Sequence, residues 1–226
     1  MKYLRKFATE GERNAWQKGD DYVKPNVVLV GDTITFNAPQ ILLGVSILHI
    51  DGNLYTPEQW TSEGFANELA NGVVVNADEA CFVIAKNDLD EKMKWSGVVD
   101  SEVNGILTSN KNDVALTDFA GQQNTDLIVT LSQTGAAAKC ASFTFPNGAV
   151  GYLPALGELA VAYDNKEAVD LAMNLIGGVP MGDYLYWAST QSSTYYAWGL
   201  SWQSGSVSTS YKNDKYHVRP FTHYSI

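Results

Sequence analysis

The chain has 226 residues, enough for one large domain or for one domain with a small appendage. Hydrophobic residues make up 45% of the chain and charged residues 18%, a balance that excludes an intrinsically disordered protein. The net charge is −10, and no run of basic residues is present. Nucleic acid is therefore excluded as a partner, because binding phosphates takes clustered Lys and Arg.

The N-terminal part, residues 1–44, is predicted to be an attachment or oligomerisation appendage made of a short helix and a hairpin. Residues 3–18 have an amphipathic helical pattern, and the Thr-x-x-Glu sequence from Thr9 to Glu12 is a capping box. Residues 26–30 and 33–36 flank a Gly-Asp turn, which predicts a hairpin that ends at residues 37–40.

No secretory signal follows the basic start of the chain, and no apolar run is long enough to span a bilayer. We therefore expect a protein that is made in the cytoplasm without a signal peptide and that does not insert into a membrane. Such a chain can still act outside the cell if a larger particle carries it.

Residues 45–226 are predicted to form the main domain, of class α+β. Thr56 and Pro57 have the residue types of an N-cap and a first helical position. Gly177 and Gly178 are expected to end a helix whose buried face holds Ala168, Leu171, Ala172 and Leu175. Other helices are predicted at 124–131, 136–141 and 155–163, loops over 87–112, and strands at 45–50, 73–75, 81–85, 184–188, 196–202, 206–208 and 218–221.

One segment, from Trp187 to His217, has the composition of a recognition surface. Of its 31 residues, 17 are Ser, Tyr, Thr or Gly, the residue types that dominate antibody binding loops. Apolar residues alternate with these polar ones, as in short strands with one buried and one displayed face. A Ser-rich set of hairpins without a partner is the alternative interpretation.

Several ordered motifs resemble the C-type-lectin-like family. Near the C-terminus these are Tyr-Trp-Ala-Ser-Thr-Gln at 186–191, Ala-Trp at 197–198, Gly-Ser-Val at 205–207 and Val-Arg-Pro-Phe at 218–221. Upstream, Gly-Tyr-Leu-Pro at 151–154 with Gly-Glu-Leu at 157–159, and Asp-Gly-Asn-Leu-Tyr at 51–55, are similar to the same family. The family commonly has Ser at the position of Ala188.

Within that family, the chain resembles the variable proteins of diversity-generating retroelements, which include the major tropism determinant of a phage tail. The N-terminal residues 6–10 and 22–27 resemble the start of structural proteins of gut Bacteroides phages. The resemblance implies a receptor-binding protein of a phage or prophage tail, located on the virion or a cell surface, with a protein or glycan on a bacterial surface as partner and with a possible homotrimeric assembly. A bacterial surface adhesin of the same fold and a purely structural virion protein are the alternatives.

The resemblance also implies which residues are displayed and which are scaffold. Trp187, Trp198, Val207, Val218 and Pro220 are the expected scaffold, and Trp202 is open between scaffold and contact. The expected ligand-binding residues are Ser192, Ser193, Tyr195, Tyr196, Gly199, Ser201, Trp202, Gln203, Ser204, Ser208, Ser210, Tyr211, Asn213, Lys215, Tyr216 and His217.

The sequence gives little indication of a catalytic site or a metal-binding site. The formylglycine-generating enzymes have the same fold, but Cys81 and Cys140 lie in apolar settings and are expected to be buried free thiols, with a disulfide as the alternative. The three histidines lack the spacing of a metal site. We therefore expect no catalysis, no cofactor and metal-independent binding, with a structural ion left open.

Glu158 and Arg219 are charged residues within motifs otherwise made of core residues. A buried charge without a partner is costly, which predicts that the two are partly buried and paired with each other. Two exposed, unrelated charges are the alternative.

Overall fold

The computed structural model describes residues 44–77 and 80–224, together with the backbone of residues 5–7, 27–30 and 33–36. The chain divides into two compact units, residues 1–41 and 42–226.

In the first unit, three short strands form a sheet of order β1-β2-β3. β2 (Val27–Val30) and β3 (Thr33–Phe36) form the predicted antiparallel hairpin. β1 (Arg5–Phe7) pairs in parallel with β2. The predicted helix over residues 3–18 is wrong at these three residues, because their backbone groups bond across to β2. The rest of that helix and the break at 37–40 lie outside the described residues.

The second unit is α+β, as predicted, and contains two antiparallel sheets. The larger sheet has the order β11-β7-β6-β4-β5. Its strands are β4 (Gly44–His49), β5 (Leu54–Tyr55), β6 (Ala70–Ala77), β7 (Ala80–Ile84) and β11 (Phe221–His223). The smaller sheet has the order β10-β9-β8, made of β8 (Leu185–Gln191), β9 (Tyr196–Ser201) and β10 (Val207–Tyr211).

Apart from a short helix at Asn112–Ala115, which the sequence did not predict, the helices of the second unit lie close to the predicted positions. They are α1 (Pro57–Glu63), α2 (Asn112–Ala115), α3 (Gly121–Leu131), α4 (Ala136–Ala141), α5 (Leu156–Asp164) and α6 (Lys166–Leu175), with a 3-10 turn at Asn67–Leu69. The start of α1 is confirmed: the Gln59 amide donates to Thr56 Oγ1 at 3.1 Å, and the Thr56 amide donates to Gln59 Oε1 at 2.9 Å.

The end of α6 is confirmed, but its predicted apolar face is only half buried: Ala172 is buried and Leu175 is partly buried. Gly177 has φ 66°, and the Gly178 amide donates to the Met173 carbonyl at 2.9 Å, which closes the helix. Leu171, however, is 54% exposed, and Ala168 is exposed too. The buried residues are Val169, Ala172, Met173 and Ile176. The buried face is therefore shifted by about one residue along the sequence, a rotation of roughly 100° around the helix axis relative to the predicted face.

The small sheet is enclosed by apolar clusters on both faces. Tyr186, Trp198 and Leu200 belong to the main cluster, with residues of the larger sheet and of α5 and α6. Trp187 and Ala197 belong to a second cluster, built around Trp95, Ile128 and Leu153. The centre of the small sheet is thus core, and only its ends and its β10 edge reach solvent.

Candidate functional site

Three tryptophans fasten the long connection between β7 and α2 to the small sheet. The indole N–H of Trp95 donates to the Ala188 carbonyl at 2.8 Å, and that of Trp187 donates to the Met93 carbonyl at 2.9 Å. The Trp198 indole donates to the Ser109 carbonyl at 2.8 Å. Each bond joins a sheet residue to the connection, so a segment of residues 86–111 without helix or strand becomes a fixed support for β8 and β9.

Lys212 adds a fourth attachment, and its side chain is fully buried. Its Nζ donates to Gln191 Oε1 at 2.7 Å and to the Ser101 carbonyl at 2.9 Å, and it lies 4.7 Å from the centre of the Trp95 ring. Its backbone amide donates to the Tyr195 carbonyl at 2.9 Å. Burial lowers the pKa of this amine from 10.5 to about 8. The residue ties the end of β10 to three other segments.

The residues that Lys212 supports form an exposed cluster at one end of the small sheet. Tyr195 and Tyr211 are each 55% exposed, and Tyr211 lies opposite Tyr196 in the ladder, with ring centres 4.4 Å apart. The hydrogen bond between the two hydroxyls raises the pKa of Tyr196. Ser193, whose amide donates to the Tyr196 carbonyl, and Ser210, which precedes Tyr211, lie near them along the chain, and we call the five residues the tyrosine end.

The predicted ligand-binding residues do not form a single patch. Gln203 and Ser204 are exposed in the turn between β9 and β10, which we call the turn end. The length of β10, about 13 Å from Val207 to Tyr211 at roughly 3.3 Å per residue, separates the turn end from Tyr211. The exposed predicted residues are Tyr195, Gln203, Ser204, Ser208, Tyr211, Asn213 and Lys215, and those of intermediate exposure are Ser193, Tyr196, Ser201, Ser210, Tyr216 and His217.

Ser192 and Gly199 are buried, so their prediction as displayed residues is wrong, and Trp202, for which both roles were open, is buried too. The Ser192 amide donates to the Tyr196 carbonyl and closes the loop between β8 and β9. A Cβ at Gly199 would lie 2.7 Å from the Tyr186 carbonyl oxygen, so this position admits no side chain without a shift. Trp202, left open between the two roles, packs edge-on against Tyr163 and is scaffold.

Tyr216 and His217 belong more to the framework than to a displayed surface. The Tyr216 ring packs edge-on against Trp187 at 4.9 Å. The His217 ring stacks on Tyr184 at 4.0 Å, and its Nδ1 lies 3.5 Å from Asp88 Oδ2. Burial lowers the pKa of His217. Of the four tyrosines predicted to form one patch, Tyr196 and Tyr211 pack ring against ring, Tyr195 is their exposed neighbour along the chain, and Tyr216 packs elsewhere.

The expected scaffold residues are placed largely as predicted. Trp187, Trp198, Val218 and Pro220 are buried, whereas Val207 is only partly buried on the edge strand β10.

Glu158 and Arg219 are both buried, as predicted, but they do not pair with each other. Arg219 Nε donates to Asp88 Oδ1 at 2.5 Å, and its two terminal nitrogens donate to the carbonyls of Ala85 and Val179. Glu158 accepts from the Ala155 amide at 2.7 Å and from the Tyr152 hydroxyl at 2.9 Å. Burial raises the pKa of Glu158 to about 8, so this carboxyl is mostly protonated at neutral pH.

The thiols offer no activated nucleophile. Cys81 and Cys140 are free cysteines, the first partly exposed and the second buried. Burial raises the pKa of both, the opposite of what a reactive thiolate needs.

Within residues 44–77 and 80–224, no cluster of three or more His, Cys, Asp or Glu could hold a metal ion. No helix in the described part of the chain is long and apolar enough to cross a membrane.

Sequence reasoning missed two parts of this arrangement. The sequence gives no signal for Lys212, since a lysine beside Tyr211 and Asn213 has the pattern of a solvated residue. The buried set around Asp118 was missed as well: its Oδ2 accepts from Thr190 Oγ1 at 2.7 Å and from Asn124 Nδ2 at 2.8 Å. The polar type of Thr190, next to a run of core residues, was the available signal.

Comparison with known proteins gives a structural neighbour and nothing at the level of sequence. No protein-family model and no curated protein matches the chain. The crystal structure of a fimbrial protein from Bacteroides ovatus superimposes with a TM-score of 0.60 at 15% identity, over 81% of this chain. This chain spans about half (49%) of that protein's length. At this identity the likeness concerns the fold alone.

Proposed function

We propose that this chain is a non-enzymatic recognition protein that binds its ligand through the tyrosine end. The observation that carries the proposal is the pair of exposed rings, Tyr195 and Tyr211, with half-buried Tyr196 packed on Tyr211, on a support fixed by indole hydrogen bonds and by buried Lys212. Tyrosine gives a large, rigid contact area with a hydroxyl for hydrogen bonding, and the neighbouring serines add adaptable polar contacts. A rigid support lowers the ordering cost of binding.

The motifs of the C-terminal third support a finer proposal: a C-type-lectin-like domain of the retroelement-diversified kind, carried by a Bacteroides phage or prophage. In this account residues 45–226 are the recognition domain and residues 1–44 attach it to a virion tail or cell surface. The exposed positions lie in loops, turns and an edge strand, where a change of side chain leaves the core intact. A near-copy of the last coding segment beside a reverse transcriptase gene in the flanking DNA would support it, and its absence there would remove the retroelement part.

A bacterial surface adhesin is a second candidate, favoured by the likeness to a fimbrial protein of Bacteroides ovatus. Both candidates use the same surface and the same partner class, a protein or glycan on a bacterial cell. They differ in the carrier, so immunogold labelling of cells and of purified phage with an antibody to this chain separates them.

Binding of the labelled chain to a panel of gut Bacteroides strains tests the recognition proposal. We expect the triple substitution Tyr195→Ala, Tyr196→Ala and Tyr211→Ala to abolish binding to every strain that binds the unchanged chain. Tyr184→Ala is the matched control, because Tyr184 is 50% exposed but stacks on His217 outside the tyrosine end. Equal binding by the folded triple variant and the unchanged chain would contradict the proposal.

A further inference from the structure

β10 is an edge strand, and its bonding pattern shows which of its backbone groups face away from the sheet. In the sheet order β10-β9-β8, β9 is the single partner of β10 among the described strands. Beyond the two ends of the ladder, the Ser201 amide donates to the Ser206 carbonyl and the Lys212 amide donates to the Tyr195 carbonyl. Hydrogen-bonded pairs alternate along an antiparallel ladder, so Ser208 and Ser210 also bond inward to β9.

The positions that bond inward to β9 are therefore 206, 208, 210 and 212. The residues that alternate with them, Val207, Thr209 and Tyr211, point their N–H and C=O groups outward, away from β9. The Tyr211 carbonyl accepts from the Asp214 amide at 2.8 Å. The other five outward groups, three N–H and two C=O, have no hydrogen-bond partner among the described residues. They repeat every second residue, about 6.6 Å apart, which is the repeat of a partner strand.

This edge lacks the features by which proteins protect exposed strands. The sequence Val-Ser-Thr-Ser-Tyr of β10 contains no charge and no proline, and its pairing with β9 continues without a bulge. Ser208, Thr209 and Tyr211 are exposed. An edge of this kind accepts another strand readily, because backbone hydrogen bonds need no particular side chains on the partner.

We propose that the β10 edge binds an extended polypeptide segment of the ligand by strand addition. This inference deepens the proposed function and rests on it, since the added strand would run past Tyr211 into the tyrosine end. A polypeptide offers donors and acceptors at the repeat of β10, whereas the hydroxyls of a glycan have no such repeat. The partner class is therefore protein, and the segment is uncharged or basic because the chain has a net charge of −10.

A second copy of this chain fits the edge less well. Two copies would bring together two bodies of net charge −10, and strands of five residues each would be their shared contact. A separate peptide avoids this repulsion and can also contact the rings of Tyr195 and Tyr211. Sedimentation of the unliganded chain tests whether two copies pair through β10. A dimer that the Thr209→Pro substitution dissociates would overturn the assignment of the edge to a peptide.

The test uses linear random peptides of twelve residues, selected for binding to the full chain. The strongest peptide is then synthesised in two forms, N-methylated at alternate residues in the two possible phases. Only one phase places its N–H groups against β10, so we expect that form to bind at least tenfold more weakly and the other within about twofold of the parent. Equal effects in both phases, or a library that yields no binder, would overturn the inference.

Amide hydrogen exchange locates the contact without any change to the protein. The amides of Val207, Thr209 and Tyr211 should exchange fast in the free chain and become protected when the peptide binds. Those of Ser208 and Ser210 should be protected in both states, because they bond to β9. Protection elsewhere with no change at Thr209 would contradict strand addition.

A substitution on the protein side gives the reciprocal test. Thr209→Pro removes an outward N–H at a position where an edge strand tolerates proline, and Thr209→Val keeps that N–H and isolates the side-chain contribution. We expect Thr209→Pro to weaken peptide binding at least tenfold more than Thr209→Val, with both variants checked by thermal melting. If Thr209→Pro does not fold, the N-methylated peptides decide the question.

The two proposals fail in different ways. Strain binding that depends on the tyrosines, combined with peptides showing no alternation, would leave the proposed function intact and remove strand addition. Strain binding that survives the triple tyrosine substitution would remove the proposed function first.

Discussion

Replacing Lys212 with methionine should change how stability depends on pH. The amine has a pKa of about 8 in the folded chain, lowered by burial, against 10.5 without that burial. Between these values the unfolded chain holds a proton that the folded chain has released. The free energy of unfolding of the unchanged protein therefore rises with pH across this window.

The size of the rise follows from the shift of about 2.5 pKa units. At 1.36 kcal/mol per unit, this group adds about 3 kcal/mol between pH 8 and pH 10.5. Lys212→Met removes the titrating group and nearly keeps the side-chain volume, so its stability should lack this increment. Gln191 Oε1 keeps a donor in the variant, because the Val103 amide also donates to it at 3.0 Å.

Urea unfolding of both proteins at half-unit steps from pH 7 to pH 10.5 measures the difference. Subtracting one curve of unfolding free energy against pH from the other cancels the contributions of titrating groups that both proteins share. These groups include Tyr152 and Tyr186, whose pKa values are raised by burial. We expect the difference in unfolding free energy to grow with pH in favour of the unchanged protein. A difference that stays flat with pH would refute the assignment of Lys212 as a buried, desolvated amine.

Three further predictions concern the framework. The pKa of Glu158 is about 8 in the folded chain, against an ordinary value of 4.5. The free energy of unfolding should therefore fall as pH rises from 4.5 to 8, by at most about 5 kcal/mol. Glu158→Gln should remove this fall in the same unfolding assay. Gly199→Ala should cost about 1–3 kcal/mol, because the new methyl would lie 2.7 Å from the Tyr186 carbonyl oxygen; unchanged denaturant stability would contradict this. Trp202→Ala should cost about 3–5 kcal/mol by the same measurement, and an unchanged midpoint would return Trp202 to the ligand-binding set.

The parts of the fold that local chemistry determines were predictable from the sequence. The capping box at Thr56 depends on residues within one helical turn, and the hairpin of β2 and β3 depends on a two-residue turn. The strands of the small sheet were predictable, but the displayed face that their alternation predicts was wrong for β8 and β9, which are buried on both faces. The buried face of α6 was not, since Leu171 and Val169 are both apolar and the packing against the larger sheet decides between them.

The candidate site was predictable in composition but not in geometry. The Tyr and Ser content of residues 187–217 indicates a displayed surface, and Tyr196 and Tyr211 do pack together beside exposed Tyr195. That Tyr216 packs on Trp187 instead depends on the distant Met93, which pairs with it. The partner of Arg219 is likewise set by a residue far along the chain, Asp88.

A sorted library of single substitutions over residues 187–217 tests the central claim most directly. The chain is displayed on yeast and sorted separately for folded display and for binding to a Bacteroides strain that the unchanged chain binds. We predict that substitutions at Tyr195, Tyr196 and Tyr211 reduce binding while display is kept, and that substitutions at Trp187 and Trp202 reduce both. Loss of binding that follows loss of display at every position would contradict the account.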